Sequence, residues 1–398
     1  MSKLSIIIPA YNEEKAIQSI IERVLAAKEA IIREGQIEDA EVIVVNDGST
    51  DATPEIAKPY ADEKRIQLIS YRKNRGYGAA IKLGFESASG DLVSFLDADG
   101  TCDPLFFIQL LKMRKETNSD VVIGSRLNPQ SEMPLTRKLG NIFYRELVRI
   151  ISRTKVTDVA SGMRIIRKDS LRKLYPLPNG LQFTPAMSVR AILDEDLKIS
   201  EVPMPYKERI GRSKLSIFRD GIKFLRIILE TAAIYRPLRL FGLAGIVLLI
   251  ASCIAGIGSY GIHSWQGGFT PLFLAGLLLF TITAFCGIQC IAAGMIAQVI
   301  VNHVRGKKME TAVERSLDSA FFRGMKYIGW LLIVLACALN YGTISRYITS
   351  GHSEVHPGYL GMSVALLLIG IQILFLSLIV RVVRLLKKQR ESREPSSS

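Results

Sequence analysis

Two hydrophobic rhythms divide the chain near residue 237. Before it, short β-branched runs alternate with longer stretches whose apolar residues recur at helical spacing. The runs at 4–8, 41–45, 66–70, 92–96 and 121–124 are almost wholly apolar and predict strands. The stretches at 13–35, 54–62, 78–89 and 104–115 predict helices between them. Strands that are apolar on both faces suit a mainly parallel sheet covered by helices on each side, a doubly wound α/β domain. In such domains ligands sit beyond the carboxyl ends of the strands.

After residue 237 the alternation stops. Nearly uncharged runs at 238–260, 271–301, 328–344 and 358–380 replace it. A helix needs roughly 20 residues to cross a hydrocarbon core, and a buried helix of a soluble protein would keep a polar face. Four transmembrane helices are therefore expected, the third being the shortest. Lys and Arg are absent from 261–270 and 347–357, whereas 302–326 carries Arg305, Lys307, Lys308, Arg315, Arg323 and Lys326. The tail from Arg381 is basic too. Basic loops stay cytoplasmic, which puts the N-terminal domain and both termini on the inner side of a cytoplasmic (inner) membrane. Pro9 cuts the apolar run at 6–8, so no secretory signal is expected. The expected organisation is a catalytic domain at 1–212, a juxtamembrane amphipathic helix at 213–237, a transmembrane domain at 238–386 and a basic, disordered tail at 387–398.

Charge changes this picture in one respect. The 398 residues include 51 Lys or Arg against 37 Asp or Glu, a formal charge of +14. No nucleic-acid-binding motif accompanies it. Two basic amphipathic stretches give it another use. Residues 134–155 carry Leu139, Ile142, Phe143, Leu147, Ile150 and Ile151 at helical spacing among Arg137, Lys138, Arg145, Arg149 and Arg153. Residues 213–236 repeat the pattern and run into the first span. Basic amphipathic helices lie in the headgroup zone of anionic bilayers. Four of the five cysteines fall in the apolar half, which excludes a disulfide scaffold.

Polar residues cluster after each expected strand: Pro9-Ala-Tyr-Asn-Glu13, Asn46-Asp-Gly-Ser-Thr-Asp51, Asn74-Arg-Gly-Tyr-Gly78, Asp97-Ala-Asp-Gly-Thr101 and Ser125-Arg126. Five polar loops on one rim form a binding-site arrangement. The Asp-x-Asp after the fourth strand places two carboxylates where they can share one hard cation, Mg²⁺ or Mn²⁺, which would neutralise a diphosphate. Neither a Gly-x-Gly-x-x-Gly after the first strand nor a Walker-type loop occurs, so a Rossmann oxidoreductase and a P-loop ATPase are unsupported.

The segments SIIIPAYNEE, VIVVNDGSTD, NRGYGAAIKLGFESASGDLVSFLDAD and SGMRIIRK resemble family 2 glycosyltransferases of GT-A fold. More narrowly, the chain is similar to the polyprenyl-phosphate glycosyltransferases, the group of dolichyl-phosphate mannose synthase. The resemblance covers about residues 3–237 and does not identify the sugar. It implies a nucleotide-sugar site at Pro9, Tyr11, Glu13, Asp47 and Asp97, and a metal at Asp97 and Asp99. It also implies Asp99, Arg126 and Asp158 near the reacting atoms, and Arg126, Arg137, Ser213 and Lys214 toward the lipid phosphate. Asn46, Thr101, Thr184 and Pro185 depart from the residues many such enzymes carry, which leaves the metal shell and the sugar open.

The implied reaction is inverting transfer of one hexose from a nucleotide-diphosphate sugar, of the GDP-mannose or UDP-glucose type, to an undecaprenyl or dolichyl phosphate. Asp158 is either a base or a residue that orients the acceptor or a sugar hydroxyl. A processive polysaccharide synthase would need a Gln-x-x-Arg-Trp motif, and neither Trp265 nor Trp330 follows an Arg. A lipid transporter would carry charges within its spans, and the four runs have essentially none.

Overall fold

The computed structural model describes residues 2–129, 131, 133–152, 156, 158–205, 217–266, 270–304, 320–350 and 357–391. The chain divides into two compact units, Met1–Tyr235 and Arg236–Ser398.

The first unit is built on a seven-stranded sheet. Its strands are β1 (Lys3–Ala10), β2 (Asp39–Asn46), β3 (Gln67–Ser70), β4 (Leu92–Phe95), β5 (Val121–Ser125), β6 (Arg164–Arg167) and β7 (Ile199–Pro203). They lie in the order β3-β2-β1-β4-β6-β5-β7. All neighbouring pairs are parallel except those of β6, which runs antiparallel to both β4 and β5. Side chains alternate between two cores as the pleat requires. Leu4, Ile6, Ile8, Val42 and Val44 face one core with α1 (Ile17–Gly35), α2 (Thr53–Asp62) and α4 (Phe107–Thr117). Ile7, Ile43, Val45, Val93 and Phe95 face the other with α3 (Tyr77–Ser87), α6 (Lys168–Leu174) and α7 (Phe183–Leu193).

Two further helices, α5 (Leu135–Ser152) and α8 (Ile217–Tyr235), belong to the same unit. Both turn one stripe inward and one outward. Val148 and Ile151 of α5 and Ile228 and Ala232 of α8 are buried. Leu135, Leu139, Phe143 and Ile150 of α5 are exposed, as are Ile222, Leu229 and Ile234 of α8. Leu139 keeps 65% of its surface and Phe143 keeps 56%, which separates these helices from ordinary packed ones.

The second unit holds α9 (Pro237–Gln266), α10 (Pro271–Val304), α11 (Ala320–Ser350) and α12 (Pro357–Glu391). Each contains a segment long and apolar enough to cross a membrane: Pro237–Trp265, Pro271–Asn302, Gly324–Gly342 and Gly361–Val382. The third is displaced a few residues toward the N-terminus of the run expected from sequence. Buried polar groups tie neighbours together. Ser252 Oγ donates to the Phe280 carbonyl at 2.9 Å, and Gln372 Nε2 to the Phe285 carbonyl at 3.3 Å. With no water in hydrocarbon, these two donors take backbone carbonyls of the neighbouring helix as partners.

Candidate active site

The carboxyl ends of β1, β2, β4 and β5 open onto a cavity of about 500 Å³. Pro9, Tyr11, Glu13, Asp47, Asp97, Asp99, Arg126 and Arg137 all line it. Asp158 lies behind its wall, and Ser213 and Lys214 fall outside the described residues.

The loops after β1 and β2 are stitched to each other. Ser49 Oγ accepts the Asn12 N–H at 3.0 Å, and Asn12 Oδ1 accepts the Thr50 N–H at 2.9 Å. Thr53 Oγ1 accepts the Glu13 N–H at 2.9 Å. Asp47 is buried and spends both oxygens on the next loop, accepting the N–H groups of Arg75 at 2.8 Å and Gly76 at 2.9 Å. Gly76 has φ +103°, and a Cβ there would come within 2.6 Å of the Asn179 carbonyl oxygen. Only glycine allows this turn, which delivers Tyr77 into the cavity.

Asp97 and Asp99 leave the end of β4. Asp97 Oδ1 accepts the Tyr77 hydroxyl at 2.7 Å, and Asp99 Oδ1 accepts the Thr101 hydroxyl at 2.7 Å. Arg23 of α1 grips the same loop from outside the cavity, donating to the Gly100 carbonyl at 3.4 Å and the Cys102 carbonyl at 3.1 Å. Burial, then the Asp97 charge, pushes the Tyr77 phenol well above its usual value, so it remains a donor. The Cys102 thiol is pushed up to about 12, chiefly by burial, and stays protonated.

No group of three or more His, Cys, Asp and Glu able to hold a metal occurs among the described residues. The two carboxylates nevertheless fit a hard cation. Mg²⁺-type sites commonly use one or two carboxylates, with substrate phosphates and water completing the shell. This donor set suits a cation shared with a diphosphate rather than a cage made wholly of protein.

Arg126 follows β5 and meets Asp158 side on. Its Nε donates to Oδ2 at 2.8 Å, Nη2 to Oδ1 at 3.0 Å, and its backbone N–H to Oδ2 at 3.0 Å. Asp158 also accepts the Ala160 N–H at 3.0 Å and is fully buried. Burial alone would raise its pKa, but the Arg126 charge and these hydrogen bonds outweigh it and hold the carboxyl below the usual range. An ionised, enclosed, doubly paired carboxylate orients an arginine; it is poorly placed to collect a proton.

Several residues here were not singled out from sequence. Arg164 is fully buried, with its guanidinium 5.4 Å from the Phe95 ring centre and a hydrogen bond to the Ser161 carbonyl. Its Nε and Nη1 find no hydrogen-bond partner among the described residues. Burial draws its pKa down to about 10, so it remains charged at neutral pH beneath the site. Tyr77 belongs to the polar loop 74–78 that sequence places on the rim, but nothing there gives it a role of its own; it is the first residue of α3. Tyr144, Asp220 and Phe224 line the far end of the cavity, with the Tyr144 hydroxyl donating to the Gly221 carbonyl at 2.8 Å.

The model of Glycosyl transferase family 2 matches residues 5–175. The low-salt glycan biosynthesis hexosyltransferase Agl6 of Haloferax volcanii is 31% identical over 364 residues, spanning 88% of this chain and 82% of its own. Dolichyl-phosphate beta-glucosyltransferase ALG5C of Trichomonas vaginalis is 32% identical, over 58% of this chain and 70% of its own. An undecaprenyl-phosphate 4-deoxy-4-formamido-L-arabinose transferase of Photorhabdus laumondii is 28% identical, over 77% of this chain and 92% of its own.

Proposed function

The chain belongs to glycosyl transferase family 2, and we propose that it transfers a single hexose, with inversion, from a nucleotide-diphosphate sugar to a polyprenyl phosphate at a membrane face. The observation that carries this reading is the composition of one cavity. The carboxylates of Asp97 and Asp99, the guanidinium of Arg126, and residues of α5 and α8 all line it. The outward faces of those two helices are apolar and exposed. The names of the relatives, acting on dolichyl or undecaprenyl phosphate, support the same acceptor class.

In this reading an oxygen of the lipid phosphate attacks the anomeric carbon, the bond from that carbon to the diphosphate breaks, and the nucleoside diphosphate leaves. The second ionisation of a phosphate monoester lies near ~6, so the acceptor is already nucleophilic at neutral pH and needs no base. Asp158 therefore acts by fixing Arg126. Arg126 and Arg137 offset the charge of two anionic substrates brought together. Pro9, Tyr11, Glu13 and Asp47 take the nucleoside end. Asp97 and Asp99 would hold Mg²⁺ or Mn²⁺, which when bound neutralises the diphosphate leaving group. Ser213 and Lys214 are assigned to the lipid phosphate from the resemblance alone.

The second unit makes this a multi-pass membrane protein, and the Lys and Arg bias of its loops supports a cytoplasmic catalytic unit and cytoplasmic termini in an inner membrane. The test is a transfer assay in liposomes with undecaprenyl phosphate, Mg²⁺ or Mn²⁺ and a panel of labelled UDP- and GDP-sugars. Cation-dependent label in the lipid, lost in Asp99→Ala, is the expected result and names the sugar. Cation-dependent nucleotide binding with no lipid label from any donor would overturn the acceptor assignment.

A further inference from the structure

We infer that Tyr77 is a positioning residue that sets the cation affinity of the site through Asp97, an inference that rests on the metal-dependent reading above. The hydroxyl of Tyr77 donates to Asp97 Oδ1 at 2.7 Å. A carboxylate free to turn about its Cβ–Cγ bond offers its lone pairs to a cation in many orientations. A donor fixed on one oxygen selects among them, and groups that hold a ligand in this way tune metal affinity.

Tyr77 is well built for that work because its own position is set from outside the Asp97 loop. It is the first residue of α3 and follows Gly76, whose N–H is held by Asp47 at 2.9 Å. Its ring meets Phe95 edge-on, with centroids 6.4 Å apart and planes at 82°. Phe95 is fully buried and ends β4, two residues before Asp97. The opposite side of Asp97 is closed by Gly162, where a Cβ would stand 3.0 Å from Oδ2. The carboxylate thus lies between a hydroxyl on one oxygen and backbone beside the other.

The arrangement also links Asp47 to Asp97 along the cavity lining. Asp47 lines the cavity, and hydrogen bonds run from its carboxylate through the backbone of residues 75–77 to Asp97. Loosening Asp47 should therefore reach the cation site through Tyr77.

The experiment uses the full-length protein in detergent and follows free Mn²⁺ by electron paramagnetic resonance, with Mn²⁺ alone and with added UDP or GDP. Tyr77→Phe removes one oxygen and leaves the ring packing. The expected result is Mn²⁺ binding weakened roughly 10-fold, within the range for such supporting groups. The cation-free thermal midpoint should be unchanged, and transfer should recover at saturating Mn²⁺. Asp47→Asn should weaken Mn²⁺ binding in the same direction, which keeps the inference testable if Tyr77→Phe folds poorly. Equal Mn²⁺ affinity in Tyr77→Phe and wild type would overturn the role of Tyr77 alone. A wild type that binds no Mn²⁺ with either nucleotide would overturn the metal-dependent reading beneath it.

Discussion

At the residue scale the pair Arg126–Asp158 joins an enclosed ion pair to the proposed chemistry. Asp158 has 0% side-chain exposure and Arg126 16%, so the pair is enclosed. Removing one partner of a buried pair typically costs about 3–5 kcal/mol, because the remaining charge is stranded. Asp158→Asn should show a loss of this order at neutral pH in denaturant titrations, together with slower transfer as Arg126 loses its orientation. The pH dependence has a definite sign. The folded-state pKa of Asp158 lies below its unfolded value near 3.8, so the pair contributes fully above that value. The contribution disappears as the pH falls through the lower, folded value. Wild type should therefore lose midpoint in acid over a range where Asp158→Asn changes less. Equal acid dependence in the two proteins would argue against the pair as the source. Asp97, Asp99 and Arg126 could be read from sequence because each directly follows an apolar strand. Tyr77 and Arg164 could not: the polar loop 74–78 does not single out its tyrosine, Arg164 lies among apolar neighbours, and only the fold brings Tyr77 to Asp97 and Arg164 over Phe95.

At the element scale, β1 to β5 were legible because their apolar runs are bounded by turn residues, and all five occur close to the expected positions. β6 and β7 were not. β6 is four residues with arginine at each end, and β7 is Ile-Ser-Glu-Val-Pro, with only its fourth residue buried. Neither offers a periodic signal; pairing with β4 and β5 makes them strands. β7 matters to the site, for its Glu201 accepts the Asp158 N–H at 2.8 Å. The helices α5 and α8 were legible as amphipathic, but sequence leaves open whether their apolar faces pack inward or outward. Exposed Leu139 and Phe143 decide for an outward stripe on α5. Moving these two side chains from bilayer to water would forfeit about 1.5–3 kcal/mol each. Leu139→Glu with Phe143→Glu should raise the apparent KM for polyprenyl phosphate in liposomes by at least tenfold. Mn²⁺-dependent nucleotide binding should stay as in wild type. Unchanged acceptor KM would mean that α5 does not meet the lipid surface.

At the scale of the whole molecule, the distribution of charge is what supports the proposed orientation of the chain. The segment 302–326 carries six Lys or Arg and 261–270 carries none. Basic segments beside spans resist translocation, so in the proposed orientation 302–326 and the basic tail are cytoplasmic. In that orientation four spans return the chain to its starting side, and the charge-poor segments 261–270 and 347–357 face the other. The proposed orientation meets the demand of the proposed chemistry, because it would let a nucleotide sugar and an anionic lipid headgroup reach one cavity from the cytoplasmic side. It can be tested without any activity measurement. In a background lacking the five native cysteines, Gln266→Cys lies at the end of α9 and Glu391→Cys at the end of α12. A membrane-impermeant maleimide added to spheroplasts should label the first and spare the second until the membrane is opened. The reverse pattern would invert the orientation and move the transfer reaction to the outer face, where no pool of nucleotide sugar would feed it.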